Sequence, residues 1–399
     1  MAAMDSATSL ASLRRPRVRR INLQDFRSYA TLDLALAGHI VTLLGENGAG
    51  KTNLVEALSL FAPGRGLRRA QMSECARAGG AGGFAISILV DDEGEPRQLG
   101  TGLEPGVEAA RANRIDRAPV ASARAFADHL RIVWLTPAMD GLFTGSAGER
   151  RRFLDRLVLA VDPGHGARVN QLERALRGRN RLLEEGARNA HWLEAIERET
   201  AELAVAVAAA RSECVARLKA KIALERDDSS PFPWADLALE GDVERLVMDM
   251  PALAAEERYR AMLRDNRSRD AAAGRTLIGP HVGDFVAWHG PKGAPAAQAS
   301  TGEQKALLVG LVLAHARLVA DMSGIAPLAL LDEVAAHFDP RRRIALFEAL
   351  ERLGGQVFLT GADPAAFAGL ADRALVLDVA PGRVTPRASG SAGVPPSSP

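Results

Sequence analysis

Cysteine is almost absent from this sequence. Only Cys75 and Cys214 occur in 399 residues, with no CxxC pair and no histidine beside either, which argues against a disulfide framework and against a zinc site. A reduced compartment, the cytoplasm, is the expected location. Net charge is missing too: 50 Lys and Arg stand against 49 Asp and Glu, a formal charge of +1. Any contact with a polyanion must therefore come from local patches and not from a global field. The first 20 residues hold five arginines but no apolar run of signal-peptide length, and no stretch reads as long enough to span a membrane. The chain is expected to be neither secreted nor membrane-integral. Helix-turn-helix patterns, zinc fingers and rows of stacking aromatics are lacking, so base-specific reading is not expected.

What is present suffices for one large core or two moderate ones, at 47% hydrophobic residues. Residues 1–15 and 387–399 are too polar and small to order themselves and are expected to be disordered. From Val18 to Leu44 the pattern is strand-like: Leu32, Leu34 and Leu36 alternate with polar or small neighbours, then Ile40-Val41-Thr42-Leu43-Leu44 runs into Gly45. Further strands are expected at Phe84–Val90, Leu130–Leu135, Pro327–Leu331 and Gln356–Thr360. Between about 150 and 270 the sequence is charged and helix-forming, with turns near Asp162–Gly166 and Ser229–Pro233. There Trp192, Ile196, Leu203, Val207, Cys214, Leu218 and Ile222 keep one face apolar, as a helix hairpin or short coiled coil requires. The expected organisation is a discontinuous α/β head, 16–145 and 275–386, interrupted by a helical arm, 146–274.

Gly45-Glu46-Asn47-Gly48-Ala49-Gly50-Lys51-Thr52 satisfies G-x-x-x-x-G-K-[ST], after an apolar strand and before the helix-like segment that begins at Asn53. Glycines let successive N–H groups and a helix N-terminus face a phosphate. In this context Lys51 is placed to meet the β- and γ-phosphates of ATP, and the Thr52 hydroxyl to ligate Mg²⁺.

The strand Pro327–Leu331 delivers Asp332 and Glu333 at its C-terminal edge, where open α/β sheets bind ligands. Asp332 fits a group holding Mg²⁺ through water and Glu333 one that polarises an attacking water, while the same pair also fits a helix cap. Lys51 and Asp332 stand about 280 positions apart, so a second module must lie between them. Ser300-Thr301-Gly302-Glu303-Gln304-Lys305 lies just before the apolar helix expected at Ala306–Val319 and about 30 residues ahead of Asp332. It resembles the signature motif of ABC ATPases, in which Ser300, Gly302 and Glu303 would meet the nucleotide of a second copy. Ser300 or Thr301 could equally cap the helix, with Glu303 closing a capping box. Ala336-His337-Phe338-Asp339 resembles the D-loop of the same class.

Several further stretches resemble the RecF family of DNA-repair ATPases, ABC-type heads related to those of SMC proteins. Leu23-Gln24-Asp25-Phe26-Arg27-Ser28-Tyr29 is similar to its L-x-x-F-R-[NS]-Y. Residues Gly145 to Asp155 are similar to G-S-P-x-x-R-R-x-F-L-D, and Leu176 to Leu183 to L-x-x-R-N-x-L-L. The likeness runs from about 17 to 380. The chain departs at Ala138 and Met139, where acids are usual, at Ala147 in place of a proline, and at Val282-Gly283-Asp284, where the family pattern is R-D-D. That last change leaves a local ion pair in question. Glu333 stands where an aspartate is common. The resemblance implies an ABC-type P-loop head with a helical arm, Arg27 and Ser28 near the nucleotide, and an ATP-dependent homodimer. It also implies a slow DNA-dependent ATPase that binds gapped duplex at single-strand/double-strand junctions and loads RecA together with RecO and RecR. A dimeric scaffold without significant hydrolysis is the alternative, and a transporter-type ATPase subunit is disfavoured by the long insert.

Candidate phosphate contacts for DNA are Arg65, Arg68 and Arg69, then Arg111, Arg114 and Arg117, then Arg150, Arg151 and Arg152, each of which could equally be a solvated surface arginine.

Overall fold

A computed structural model describes residues 13–106, 111–186, 190–335, 338–370 and 373–387. The expected disordered ends fall largely outside this range, as do Ala336 and His337. The chain divides into two compact units, one of residues up to Pro137 joined by those from Gly324 onward, the other Ala138–Ser323.

The first unit holds two six-stranded sheets. One is antiparallel, in the order β2 (Tyr29–Ala35), β1 (Arg17–Phe26), β4 (Phe84–Asp92), β5 (Glu95–Leu103), β6 (Arg111–Ile115), β7 (Ala118–Pro119). Leu32 and Leu34 of β2 face Leu23 and Ile21 of β1, and all four are buried. Val18 and Ile21 are both buried although three positions apart, because the register against β4 shifts between Val18 and Arg20. A bulge of this kind resets the inside–outside alternation. The second sheet runs β15 (Arg383–Pro386), β14 (Ala374–Ala380), β3 (Ile40–Leu44), β13 (Val357–Gly361), β12 (Leu328–Leu331), β8 (Ile132–Leu135), parallel except for β15. Every residue of β3, β12, β13 and β8 is buried, as strands covered on both faces demand. The helices are α1 (Lys51–Ser59), which buries Leu54, Val55 and Leu58, the short α2 (Met72–Cys75), and α10 (Pro340–Arg352).

The second unit contains α3 (Ala147–Val161), α4 (His165–Glu184), α5 (Ala190–Leu224), β9 (Ala235–Glu240), α6 (Asp242–Asp249), α7 (Ala252–Asp265), α8 (Arg267–Ala273), β10 (Asp284–His289), β11 (Ala294–Pro295) and α9 (Thr301–Ser323). The 35-residue α5 is its axis and packs on α4, α6 and α7 through Ala204, Val207, Ala208, Val243, Ala255, Tyr259 and Leu263. Its most extensive helix partner is α4, which directly precedes it in the chain as the hairpin reading expects, and α6 and α7 pack on it as well. Two buried arginines tie these helices together. Arg179 donates to Glu197, Asp270, Thr276 and the Leu263 carbonyl, while Arg211 clamps Asp155, which also contacts His165.

Four features differ from the sequence reading. The expected insert ended at 274, whereas the compact unit extends to Ser323, because α9 packs on α3 and α5. Strand β9 lies inside the segment read as helix, and pairs with β10 in the small antiparallel sheet β11-β10-β9. Trp192 is 66% exposed although Val207, Cys214, Leu218 and Ile222 are buried. In that first turn the packed position is taken by Leu193, one residue on, which is buried. Finally, α9 is long and apolar enough to cross a membrane by length and composition, contrary to expectation, but 72% of its apolar window is buried inside the protein, as in a core helix.

Candidate nucleotide site

The phosphate loop follows directly from β3. Gly45 donates its N–H to the Gly361 carbonyl at the end of β13, 3.3 Å away, and a Cβ here would lie 2.2 Å from the Val379 carbonyl oxygen. Only glycine fits. Gly48 and Gly50 have φ of +83° and +111°, a region side chains disfavour. Gly50 ends the loop at the N-terminus of α1, whose first amides carry no side-chain cap. Uncapped amides at a helix start are donors awaiting an anion. Lys51 is only 3% exposed, and its ammonium donates to the Gly45 and Glu46 carbonyls at 2.7 and 2.9 Å. Both acceptors are neutral, so the charge remains for a phosphate. Asn47 and Ala49 complete the loop between these anchors.

Around α1 the sequence candidates gather. Asn53 donates to the Ser28 hydroxyl at 2.9 Å, and Tyr29, fully buried, donates to the Gly50 carbonyl at 3.1 Å. Burial pushes the Tyr29 hydroxyl up to about 12, so it stays a donor. Arg27, at φ +51°, forms a two-bond pair with the Glu56 carboxylate at 2.9 and 2.6 Å, which holds its guanidinium above its ordinary value.

Across the sheet, the Thr52 hydroxyl lies 3.0 Å from both Asp332 carboxylate oxygens. Thr360, which no motif announced, donates to Asp332 at 2.7 Å and accepts the Glu333 N–H at 2.9 Å. The signal available in the sequence was a threonine ending the apolar strand Val357-Phe358-Leu359, at the same sheet edge as Asp332. Glu333 itself sits at φ +56°, the left-handed region, which turns the chain immediately after the strand. Strain of this kind is concentrated at functional sites. The loop, the uncapped helix and the threonine–aspartate pair fit a nucleoside triphosphate with Mg²⁺.

Ser300 and Glu303 lie in the second unit, at the start of α9. The Ser300 N–H and hydroxyl both donate to one oxygen of Glu303, each at 3.0 Å, and Lys292 donates to the other at 2.6 Å. Lys292, then the Ser300 amide and hydroxyl, hold the Glu303 carboxyl down at about 2. Ser300 is thus the cap that the alternative reading foresaw, and Gly302 lies in the first turn.

The nine arginines separate into two kinds. Arg111 donates to Thr101 and to the Leu60 and Gly64 carbonyls, and burial pulls its guanidinium down to about 10. Arg150 pairs with Asp284 at 2.8 and 2.6 Å, and Arg151 bonds the Gly283 carbonyl. These three serve the protein's own packing, which corrects their assignment as DNA contacts. The ion pair left in question at Val282-Gly283-Asp284 is present, formed by the remaining acid. Arg68 bonds Asn53 and Glu56 from a largely exposed position, whereas Arg65, Arg69, Arg114, Arg117 and Arg152 are exposed.

Residues 17–379 match the family model described as the RecF/RecN/SMC N terminal domain. The chain is 54% identical over 370 residues to the DNA replication and repair protein RecF of Mesorhizobium japonicum, covering 92% of this chain and 97% of that one. It is 53% identical over 371 residues to its Brucella abortus counterpart, with 92% and 96% covered. Among solved structures it resembles the recombination mediator protein RecF with ATPrS at a TM-score of 0.83 and 21% identity, covering 94% of this chain and all of that one. An Smc head domain from Pyrococcus furiosus aligns at a TM-score of 0.52 and 15% identity, with 94% and 98% covered. With a family model spanning almost its full length and RecF proteins more than half identical to it, the chain has the ABC-type head fold and belongs to the RecF family of DNA replication and repair proteins.

Proposed function

We propose that the protein is an ATP-dependent, DNA-binding dimer with weak DNA-stimulated ATPase activity that works in the cytoplasm in recombinational repair. The observation that carries this reading is the convergence of Lys51, Thr52 and Asp332 around an uncapped helix start. In this reading the amides of Gly48 to Thr52 and the Lys51 ammonium bind the β- and γ-phosphates. Thr52 and Asp332 hold Mg²⁺, which supplies charge neutralisation along the phosphate chain. Glu333 accepts a proton from the attacking water, with Thr360 fixing its backbone. Arg27, Ser28 and Asn53 line the nucleoside side.

Ser300 and Gly302 of one copy close over the phosphates bound by Lys51 of the other, so that two sites form per dimer. The exposed arginines then contact the DNA backbone of gapped duplex without reading sequence. Family membership supports partnership with RecO and RecR and, through them, delivery of RecA. The test is steady-state hydrolysis with and without gapped duplex, for wild type and Glu333→Gln. DNA-stimulated turnover that the substitution abolishes supports the reading, absent turnover favours an ATP-gated scaffold, and turnover indifferent to DNA overturns the DNA stimulation.

A further inference from the structure

The signature helix α9 begins with a charge problem. Its N-terminus, at Ser300 to Gly302, is where the proposed dimer would receive a triphosphate, yet the Glu303 carboxylate lies 3.0 Å from the Ser300 hydroxyl. A carboxylate beside an anion-receiving helix start repels what the amides attract. Lys292, on the turn Gly290–Lys292 between β10 and β11, meets that carboxylate at 2.6 Å.

The ammonium is not needed to build the cap. Within the same unit, Ser146 and Glu149 form an equivalent box at the start of α3. Glu149 accepts the Ser146 N–H at 2.7 Å and its hydroxyl at 3.1 Å and returns its own N–H at 3.3 Å; Arg150 and Arg152 act on its carboxylate only through space, with no direct ion pair among the described residues. Capping therefore leaves Lys292 unexplained. Its two features are its charge and its aim at the oxygen of Glu303 that Ser300 does not use.

We infer that Lys292 is a positioning residue of the signature motif, one that neutralises Glu303 so that the Ser300 end of α9 can accept the triphosphate held by a second copy. This rests on the ATP-sandwiched dimer proposed above. Lys292 does not touch the nucleotide. It acts through Glu303.

The test uses the full chain and reads two quantities: binding of a fluorescent ATP analogue to the monomer, and the Mg·ATP concentration that half-saturates dimerisation, by sedimentation velocity. Lys292→Ala is expected to bind the analogue as wild type does and to need about tenfold more Mg·ATP to dimerise. Lys292→Arg should behave as wild type. The informative variant is Lys292→Ala with Glu303→Gln, because a glutamine keeps the cap but carries no charge. Charge compensation requires this double variant to dimerise near the wild-type concentration. A purely structural salt bridge would leave it no better than Lys292→Ala, and that result, or wild-type dimerisation by Lys292→Ala, overturns the inference. A wild-type chain that stays monomeric at saturating Mg·ATP while binding the analogue overturns the dimer itself and the inference with it.

Discussion

The hydroxyl of Thr52 and the carboxylate of Asp332 meet at 3.0 Å although 280 positions separate them in the chain. One end of the contact is the first turn of α1 and the other is the tip of β12, so a metal ligated by both would report on the closure of the whole sheet. Thr52→Ala and Asp332→Asn are each expected to raise the Mg²⁺ concentration needed for half-maximal hydrolysis by about tenfold or more, while nucleotide binding without metal persists. An unchanged Mg²⁺ titration for either variant would remove that residue from the metal site.

Glu333→Gln keeps the shape of the side chain and the Thr360 bond to the backbone. Turnover should fall by about 100-fold or more, as loss of a general base does, and the ATP-bound dimer should persist on DNA. Unaltered single-turnover rates would show that another group handles the proton.

Arg111 and its neighbour Arg114 make opposite demands. Arg111 satisfies two main-chain carbonyls and Thr101, so Arg111→Ala should cost about 2–3 kcal/mol of stability in chemical denaturation. Neutralising exposed Arg65, Arg69, Arg114, Arg117 and Arg152 should leave the midpoint of denaturation unchanged. It should also flatten the salt dependence of duplex binding, by about 0.9 in log–log slope for each phosphate that no longer meets an arginine. A slope that does not change would move the DNA surface elsewhere.

Arg179 is completely buried with Glu197 and Asp270, also buried. Its truncation strands two carboxylates among helices, and Arg179→Ala is expected to destabilise the protein by about 3–5 kcal/mol. Retention of wild-type stability would mean that water replaces the guanidinium.

His315 on α9 is wholly buried, bonds the Leu157 carbonyl at 2.9 Å, and is pushed down to about 4 by burial. The unfolded chain takes up this proton near pH 6.5, the folded one only near pH 4. Stability from this group is therefore full above pH 6.5 and lost as pH falls between those values, by roughly 3 kcal/mol in all. His315→Gln cannot titrate, so between pH 7 and pH 4 the wild type should lose that amount of stability relative to the variant. Parallel pH profiles would contradict the burial argument.

The nucleotide half of the site was legible because its chemistry resides in short contiguous strings: Gly45 to Thr52 after a five-residue apolar strand, and Asp332-Glu333 after another. Thr360 was not, since one threonine at a strand end has no pattern until β13 is laid beside β12. The strand β9 was hidden for a different reason. Ala235, Leu237 and Leu239 do alternate, but alanine, leucine and glutamate are helix formers, and only pairing with Asp284–His289 overrides that preference. The arginines misled because a run such as Arg150-Arg151-Arg152 looks uniform in sequence, whereas the helix turns two of the three toward Asp284 and Gly283.

The position of β3 within its sheet has a consequence for how the protein is made. Both strands that flank it, β13 and β14, belong to residues 357–380, and its loop is fastened to Gly361 and shielded by Val379. A ribosome has therefore translated nearly everything before the phosphate cradle can acquire its walls. Nascent chains stopped short of residue 357 should be blind to ATP, however much of the outer sheet has already folded.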